Sequence, residues 1–346
     1  MTKSVSTVDL FCGAGGLTHG FEQAGLPVKA GYDVDPACQF PYEYNNKAKF
    51  MLQSVENVSG MDLAKHFAGS EIKILAGCAP CQPFSSYSRR YKDPQSKWKL
   101  LQDFARLIND SQPEIISMEN VPHLKHHDVF KEFIGELKKL NYYLEYYEVN
   151  CLDYGIPQSR KRLVLLASQF AKIDLIPPTH QPHNYQTVRQ TIENLEKLSA
   201  GQSSQIDPIH KSSKLSSLNL RRIRASNPGG TWRDWPKDLI AECHLKKSGK
   251  TYPAVYGRME WDKPSPTITT QCFGFGNGRF GHPEQDRAIS LREAALLQTF
   301  PPDYQFVAPD ESVGIDLVGR LIGNAVPVKL GKVIAKSILN HIKKLN

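Results

Sequence analysis

The chain lacks any apolar run long enough to cross a bilayer, which argues against an integral membrane helix. Its first residues, Met-Thr-Lys-Ser-Val-Ser, carry no apolar signal-peptide core, and the expectation is a cytoplasmic protein. Cysteine is sparse: the seven, at 12, 38, 78, 81, 151, 243 and 272, are odd in number and scattered through 346 residues. That spacing excludes a small disulfide framework and makes reduced thiols the default. No second Cys-x-x-Cys and no Cys/His pair at suitable spacing accompanies Cys78 and Cys81, so no metal site is expected. Internal repeats and low-complexity tracts are absent as well. Acidic residues are outnumbered, and a formal charge of +8 leans toward a polyanionic partner.

What is present is a regular first half. Apolar segments at 5–11, 28–32, 72–76 and 114–118 predict buried strands, with helix-like spacing at 17–24, 103–108 and 129–140. This βαβα order predicts the α/β class, a doubly wound Rossmann-like sheet that binds ligands at its strand C-termini. From Ile176-Pro177-Pro178 to about residue 279 the chain turns polar and rich in Pro, Ser, Asn, Gly and Arg. Helix is expected there only over 187–198, and the region reads as a separate irregular domain or a large insertion. Regular character returns at 290–299 and 329–343.

Three stretches carry candidate chemistry. The first, DLFCGAGGLTHG (residues 9–20), is strand, glycine turn and helix. Gly13 and Gly15 fit a dinucleotide fingerprint, Thr18 stands where the third glycine belongs, and Asp33 follows at the distance of a ribose-binding carboxylate. A tight turn with no ligand explains the glycines equally well. The second, GCAPCQPFS (residues 77–85), sets Cys81 in a proline-held loop after a buried strand. A redox pair and a zinc site fit poorly; a nucleophilic thiol fits Cys81, and a small buried hydrophobe fits Cys78. The third is a pair of segments. Glu119 and Asn120 end an apolar strand, where Glu119 is either a structural partner or an acid, and QSRKR (158–162) opens another strand with Arg160 and Arg162 expected on one side of it. Thiol, carboxylate and arginines beside a nucleoside suggest chemistry on an electron-poor ring.

DLFCGAGG, PCQPFS, ENV, QSRKR, REAALLQTFP (292–301) and GNAVPV (323–328) occur in this order over nearly the whole chain. With these six, the sequence resembles the DNA (cytosine-5) methyltransferases of the bacterial restriction–modification type. The resemblance implies an S-adenosylmethionine-dependent methyltransferase sheet with a smaller irregular target-recognition domain. It implies methyl transfer to C5 of a flipped cytosine in duplex DNA, with S-adenosylhomocysteine as product. Cys81 matches the nucleophile that adds to C6. Glu119 would bond N3 and the exocyclic amine, Arg162 would reach O2, and Arg160 would support the site. Around the cofactor, the resemblance implies Phe11 and Val34 beside the adenine and Gly13, Ala14 and Gly16 at the methionine end. It implies Asp33 on the ribose, Val55 as a wall, and Pro80, Leu100, Asn324 and Ala325 closing the pocket. The sequence departs from the pattern at Ser54, where the family often has an Asp for the adenine amine.

The resemblance also implies domain bounds: 1–175 plus 315–346 for catalysis and cofactor, 176–290 for target recognition, and 291–314 as the connection back. The basic stretch 85–99, with Ser85, Arg89 and Arg90, would close over DNA. Arg221, Arg222, Arg224, Arg233, Arg258 and Arg279 would contact phosphate or read guanine. The partner is then double-stranded DNA, with a restriction endonuclease acting on the same site without contact, no membrane, and a monomeric enzyme. Three rival readings are a tRNA cytosine-5 methyltransferase, a catalytically silent DNA-binding subunit and a nicotinamide oxidoreductase. The long recognition-type region, the intact catalytic motifs and the missing third glycine stand against them in turn.

Overall fold

The computed structural model describes residues 3–80 and 98–345. By its contacts the chain divides into two compact units, one of Met1–Tyr154, Lys161–Thr179 and Val326–Asn346, the other of Gly155–Arg160 and His180–Ala325.

The first unit follows the alternation expected from apolar periodicity. Its elements are β1 (Val5–Leu10), α1 (Gly16–Gln23), β2 (Val28–Asp33), α2 (Gln39–Asn45), β3 (Lys49–Leu52), α3 (Gly60–Phe67), β4 (Ile72–Gly77), α4 (Lys99–Ser111), β5 (Ile115–Asn120), α5 (Asp128–Lys139) and β6 (Tyr143–Asn150). The chain passes through the short β7 (Gln158–Ser159), which groups with the second unit, and returns as β8 (Lys161–Ser168). The seven strands run in the order β3-β2-β1-β4-β5-β8-β6. Pairing is parallel from β3 to β5, and β8 is antiparallel to both β5 and β6.

Helices cover the sheet because their apolar residues recur on one face. Leu101, Phe104, Ala105, Leu107 and Ile108 of α4 are buried in one cluster with Val129, Phe130, Phe133 and Leu137 of α5. Helix α1 meets the C-terminal helix Val328–Lys343 at glycines. A Cβ on Gly20 would fall on the Val328 carbonyl oxygen, and one on Gly331 would lie 2.8 Å from the Leu17 carbonyl oxygen. The reversal of strand order explains where the ligand-binding edge lies: β1 and β4 run side by side in parallel, and their C-terminal ends form a switch point of the doubly wound kind.

The second unit holds α6 (Val188–Ile192), α7 (Ser217–Arg224), α8 (Glu242–Leu245), β9 (Ser265–Pro266), α9 (Leu291–Leu297) and α10 (Ile315–Asn324). The helix expected over 187–198 ends at Ile192. Beyond it, the Leu198 amide donates to Gln285 Oε1, so tertiary contact takes a donor that a longer helix would have used. With little regular structure, the unit has an apolar core of Ile223, Trp232, Trp235, Leu239, Phe275 and Ala288. Both indoles find acceptors, Trp232 in the Tyr252 carbonyl and Trp235 in Ser226 Oγ, as buried aromatic N–H groups require. Helix α10, expected with the catalytic segment, groups here instead, because Gly323 lies directly against the backbone of Thr269 and Thr270. Among the described residues no helix is long and apolar enough to cross a membrane.

Candidate active site

The turn after β1 is built by left-handed backbone. Phe11, Gly13 and Gly15 have φ of 59°, 52° and 89°. Left-handed φ at a bulky residue such as Phe11 costs about 1–3 kcal/mol, and strain of this kind clusters at ligand and active sites. No side chain caps the start of α1, so its first-turn N–H groups stay available to a ligand. A Cβ on Gly13 would meet nothing within 4 Å, which marks open space above the turn. Ala14 is buried and Gly16 begins the helix.

Asp33, ending β2, is aimed by the backbone: Oδ2 accepts from the Gly13 amide at 2.9 Å and Oδ1 from the Asp35 amide at 3.0 Å. Val34 beside it is 63% exposed, an apolar surface at the rim, while Val55 is buried. Ser54 caps the turn Val55–Asn57. These groups fit a nucleoside: open space over positive-φ glycines, a fixed carboxylate at ribose distance and an apolar ledge. Thr18 has its own role beneath the turn. Its hydroxyl donates to Asp9 Oδ2 at 2.7 Å and lies 3.0 Å from the Tyr42 hydroxyl. Burial pushes Asp9 up to about 7, the Thr18 bond opposes the rise, and the Asp33 charge adds to it. Burial likewise raises the Cys12 thiol well above its ordinary range.

Glu119 and Arg162 meet on the next strands. Glu119 pairs with Val164 in the β5–β8 register, so Arg162, two residues from Val164, points to the same face. Arg162 Nε lies 2.9 Å from Glu119 Oε1, with Glu119 2% exposed. The approach is an ion pair off the hydrogen-bond axis, and Oε1 accepts no aligned bond among the described residues. Cys78 Sγ donates to Glu119 Oε2 at 2.7 Å. Asn120 Nδ2 donates to the Ala79 carbonyl at 3.2 Å, tying the start of the thiol loop to the strand bearing the carboxylate. Cys81, Ser85, Arg89 and Arg90 lie outside the described residues. Pro80 is exposed and Leu100 half-buried.

Arg160 is not a strand neighbour of Arg162. It falls in the break between β7 and β8, groups with the second unit, and donates to the Ile268 carbonyl and Gln158 Oε1. A buried amide pair that sequence reasoning passed over holds this region together. Gln158 Nε2 donates to Gln298 Oε1 at 2.9 Å, Gln298 Nε2 to the Ile322 and Ala325 carbonyls, and Gln158 Oε1 accepts from the Ile268 amide. Three of the quoted motifs thus meet through two side chains, and their glutamines, at 158 and 298, were the available signal. Asn324 is exposed and Ala325 buried at the end of α10.

The arginines of the second unit divide sharply. Arg258 is 5% exposed and donates to the carbonyls of Ile223, Ser226, His282 and Gln285 and to Asp286. Its guanidinium is spent on the fold, and the DNA contact expected of it is not carried further. Arg279 donates to the Gly230 carbonyl, Arg233 to the Lys250 carbonyl, and Arg222 to the Leu239 carbonyl while lying over Trp235 and Tyr256. Arg221 and Arg224 of α7 have side chains 61% exposed, each in a surface pair with Asp238 or Asp286. Among the described residues no cluster of three or more His, Cys, Asp or Glu could hold a metal.

A seven-stranded sheet with this strand order and β8 alone running against the others, with Asp33 fixed at the edge beside the glycine turn, is that of an S-adenosylmethionine-dependent methyltransferase of Rossmann-like type. The chain belongs to the C-5 cytosine-specific DNA methylases, whose family pattern matches residues 5–340. It is 54% identical over 344 residues to the Type II methylase M.HgiDII of Herpetosiphon aurantiacus, covering 99% of this chain and 97% of that one. The Type II methyltransferase M1.BsuMI of Bacillus subtilis (strain 168) is 32% identical over 364 residues, covering 96% and 80%. The crystal structure of a mutant DNMT2 from Spodoptera frugiperda matches the fold with a TM-score of 0.65 at 17% identity, covering 97% of this chain and all of that one. The chain is therefore a DNA cytosine-5 methyltransferase.

Proposed function

We propose that this enzyme methylates one cytosine within a specific duplex DNA sequence, flipping the base and forming a transient bond from Cys81 to C6. The observation that carries the reading is Glu119, buried, ion-paired to Arg162 and hydrogen-bonded by Cys78 at the strand ends. Cytosine C5 is a weak nucleophile. Addition of the Cys81 thiolate to C6 forms an S–C bond and moves an electron pair to C5. Glu119 giving a proton to N3 and accepting from the exocyclic amine, with Arg162 at O2, offsets the negative charge that this addition places on the ring. A free thiol has a pKa of about 8.5, so an electrophilic C6 is as necessary as a reactive sulfur. S-adenosylmethionine, when bound, would supply an electrophilic methyl group, and C5 takes it as the methyl–sulfonium bond breaks and S-adenosylhomocysteine leaves. Water removes the C5 proton, and the electron pair returns to expel the Cys81 thiolate.

For the cofactor, Asp33 holds the ribose, Phe11, Val34 and Val55 flank the adenine, and Gly13, Ala14 and Gly16 leave room for the methionine end. Pro80 and Leu100 complete the set. The first unit carries catalysis and the second carries recognition. The base must leave the stack for C6 to be reached, and Ser85, Arg89 and Arg90 help hold DNA in that state. Exposed Arg221 and Arg224 are the favoured DNA contacts among the described arginines, because surface ion pairs cost little to exchange for phosphate or guanine. The enzyme acts as a cytoplasmic monomer, sharing its sequence with a restriction endonuclease it does not touch. Bisulfite sequencing of a host genome expressing the chain tests the reading: one recurrent sequence with conversion-resistant cytosine supports it, and unmodified DNA with labelled tRNA instead overturns it.

A further inference from the structure

Cys78 was expected to be a small buried hydrophobe, yet its sulfur is bonded to the carboxylate at the centre of the site. β4 and β5 pair in parallel with Gly77 opposite Met118. The next residues, Cys78 just past the end of β4 and Glu119 still within β5, therefore stand side by side. The Cys78 amide extends the ladder by donating to the Leu10 carbonyl at 3.3 Å, which fixes the backbone that carries the thiol. Sγ then stands 2.7 Å from Oε2, on the opposite oxygen from the one that Arg162 approaches.

We propose that Cys78 is a positioning residue for methyl transfer: its thiol holds Glu119 Oε2, so that Oε1 faces the target cytosine beside Arg162. This rests on the reading of Glu119 as the group that binds the base. A carboxylate held at one oxygen only can rotate about its last bond, and a pair off the hydrogen-bond axis does not stop that rotation. The thiol supplies the second anchor. It is also a weak donor, so it steers Oε2 without forbidding the carboxyl from taking a proton when N3 of the ring needs a donor. Removing the thiol therefore loosens Glu119. A residue that merely filled space at position 78 would not do so.

The test uses the full-length enzyme, unmethylated plasmid DNA and tritium-labelled S-adenosylmethionine, with single-turnover rates measured. Cys78→Ala is expected to lower the rate by about tenfold or more, the size of one hydrogen bond to a charged group, with DNA affinity little changed. Cys78→Ser, which keeps a donor, should recover most of the rate. A wild-type rate in Cys78→Ala, alongside an inactive Glu119→Ala, overturns the positioning role alone. Wild-type rate in Glu119→Ala overturns the underlying reading of Glu119. A measurement free of activity covers a poorly folding variant. The infrared S–H band that disappears in Cys78→Ser should lie below those of the other thiols and rise in Glu119→Leu. A band at the same frequency in wild type and Glu119→Leu contradicts the bond.

Discussion

Glu119 Oε1 and Arg162 Nε lie 2.9 Å apart on neighbouring antiparallel strands, in a site where the carboxylate is 2% exposed. A buried carboxylate keeps its charge only with a partner, and removing that partner leaves it uncompensated. Arg162→Ala is expected to lower the methylation rate more than Arg162→Lys, and both more than they weaken DNA binding. Glu119→Ala should cost about 10²–10⁴ in rate, the range of a positioned acid–base group. Single-turnover methylation with a parallel DNA-binding titration checks the split; equal losses in binding and rate would reassign the pair to DNA affinity.

Asp33 is oriented by two backbone amides before any ligand arrives. Asp33→Ala should weaken S-adenosylmethionine binding by about 1.5–3 kcal/mol, the worth of a charge-assisted hydrogen bond. Isothermal titration without DNA measures it, and an unchanged affinity would move the ribose partner elsewhere.

Arg258 and Arg224 both pair with Asp286, one buried and one exposed. Arg258→Ala takes one donor from each of the carbonyls of Ile223, Ser226, His282 and Gln285, and should destabilise the protein by about 1–3 kcal/mol or more, the cost of buried polar groups left unsatisfied. Arg224→Ala should leave the melting temperature within about a degree or two and lower the salt dependence of DNA binding or relax one position of the methylated sequence. Thermal melts and salt titrations of the two variants should therefore show opposite profiles.

Asp9 carries a pH signature of its own. Its folded value of about 7 stands above the ordinary 3.8, chiefly through burial. Between those values the folded chain holds a proton that the unfolded chain has released, so stability falls as pH rises through that window and levels off above it. Each tenfold difference in proton affinity between the two states is worth roughly 1.4 kcal/mol. Asp9→Asn keeps an acceptor for Thr18 and cannot ionise. Its melting temperature relative to wild type should rise between pH 5 and pH 8, and parallel melting curves across that range would rule out Asp9 as the source.

Strands β1, β2, β4 and β5 could be read directly because β1, β4 and β5 are buried at nearly every position, so apolar residues concentrate there without regular alternation with solvent-facing charge, whereas the short β3 was passed over. Strand β6 was hidden by its position at the sheet edge, where Tyr143 and Tyr146 are exposed and Glu145 and Glu148 interrupt the aromatics. Arginines of the second unit looked alike in sequence. Only folding separates Arg258, whose carbonyl partners lie at 223, 226, 282 and 285, from solvent-facing Arg221. Glu119 stood out as a charge ending an apolar strand. The thiol on its other oxygen could not be seen, since Cys78 meets it through parallel pairing and not through local spacing.

The mechanism turns on a sulfur–carbon bond between Cys81 and the target base. Fluorine at C5 cannot leave as a proton does, so DNA carrying 5-fluorocytosine at the target position should trap the enzyme as an adduct that survives denaturation when S-adenosylmethionine is present. That adduct is expected for wild type and for Cys78→Ser, and none for Cys81→Ser. An adduct that persists in Cys81→Ser, or its absence from an active wild-type enzyme, would contradict the mechanism.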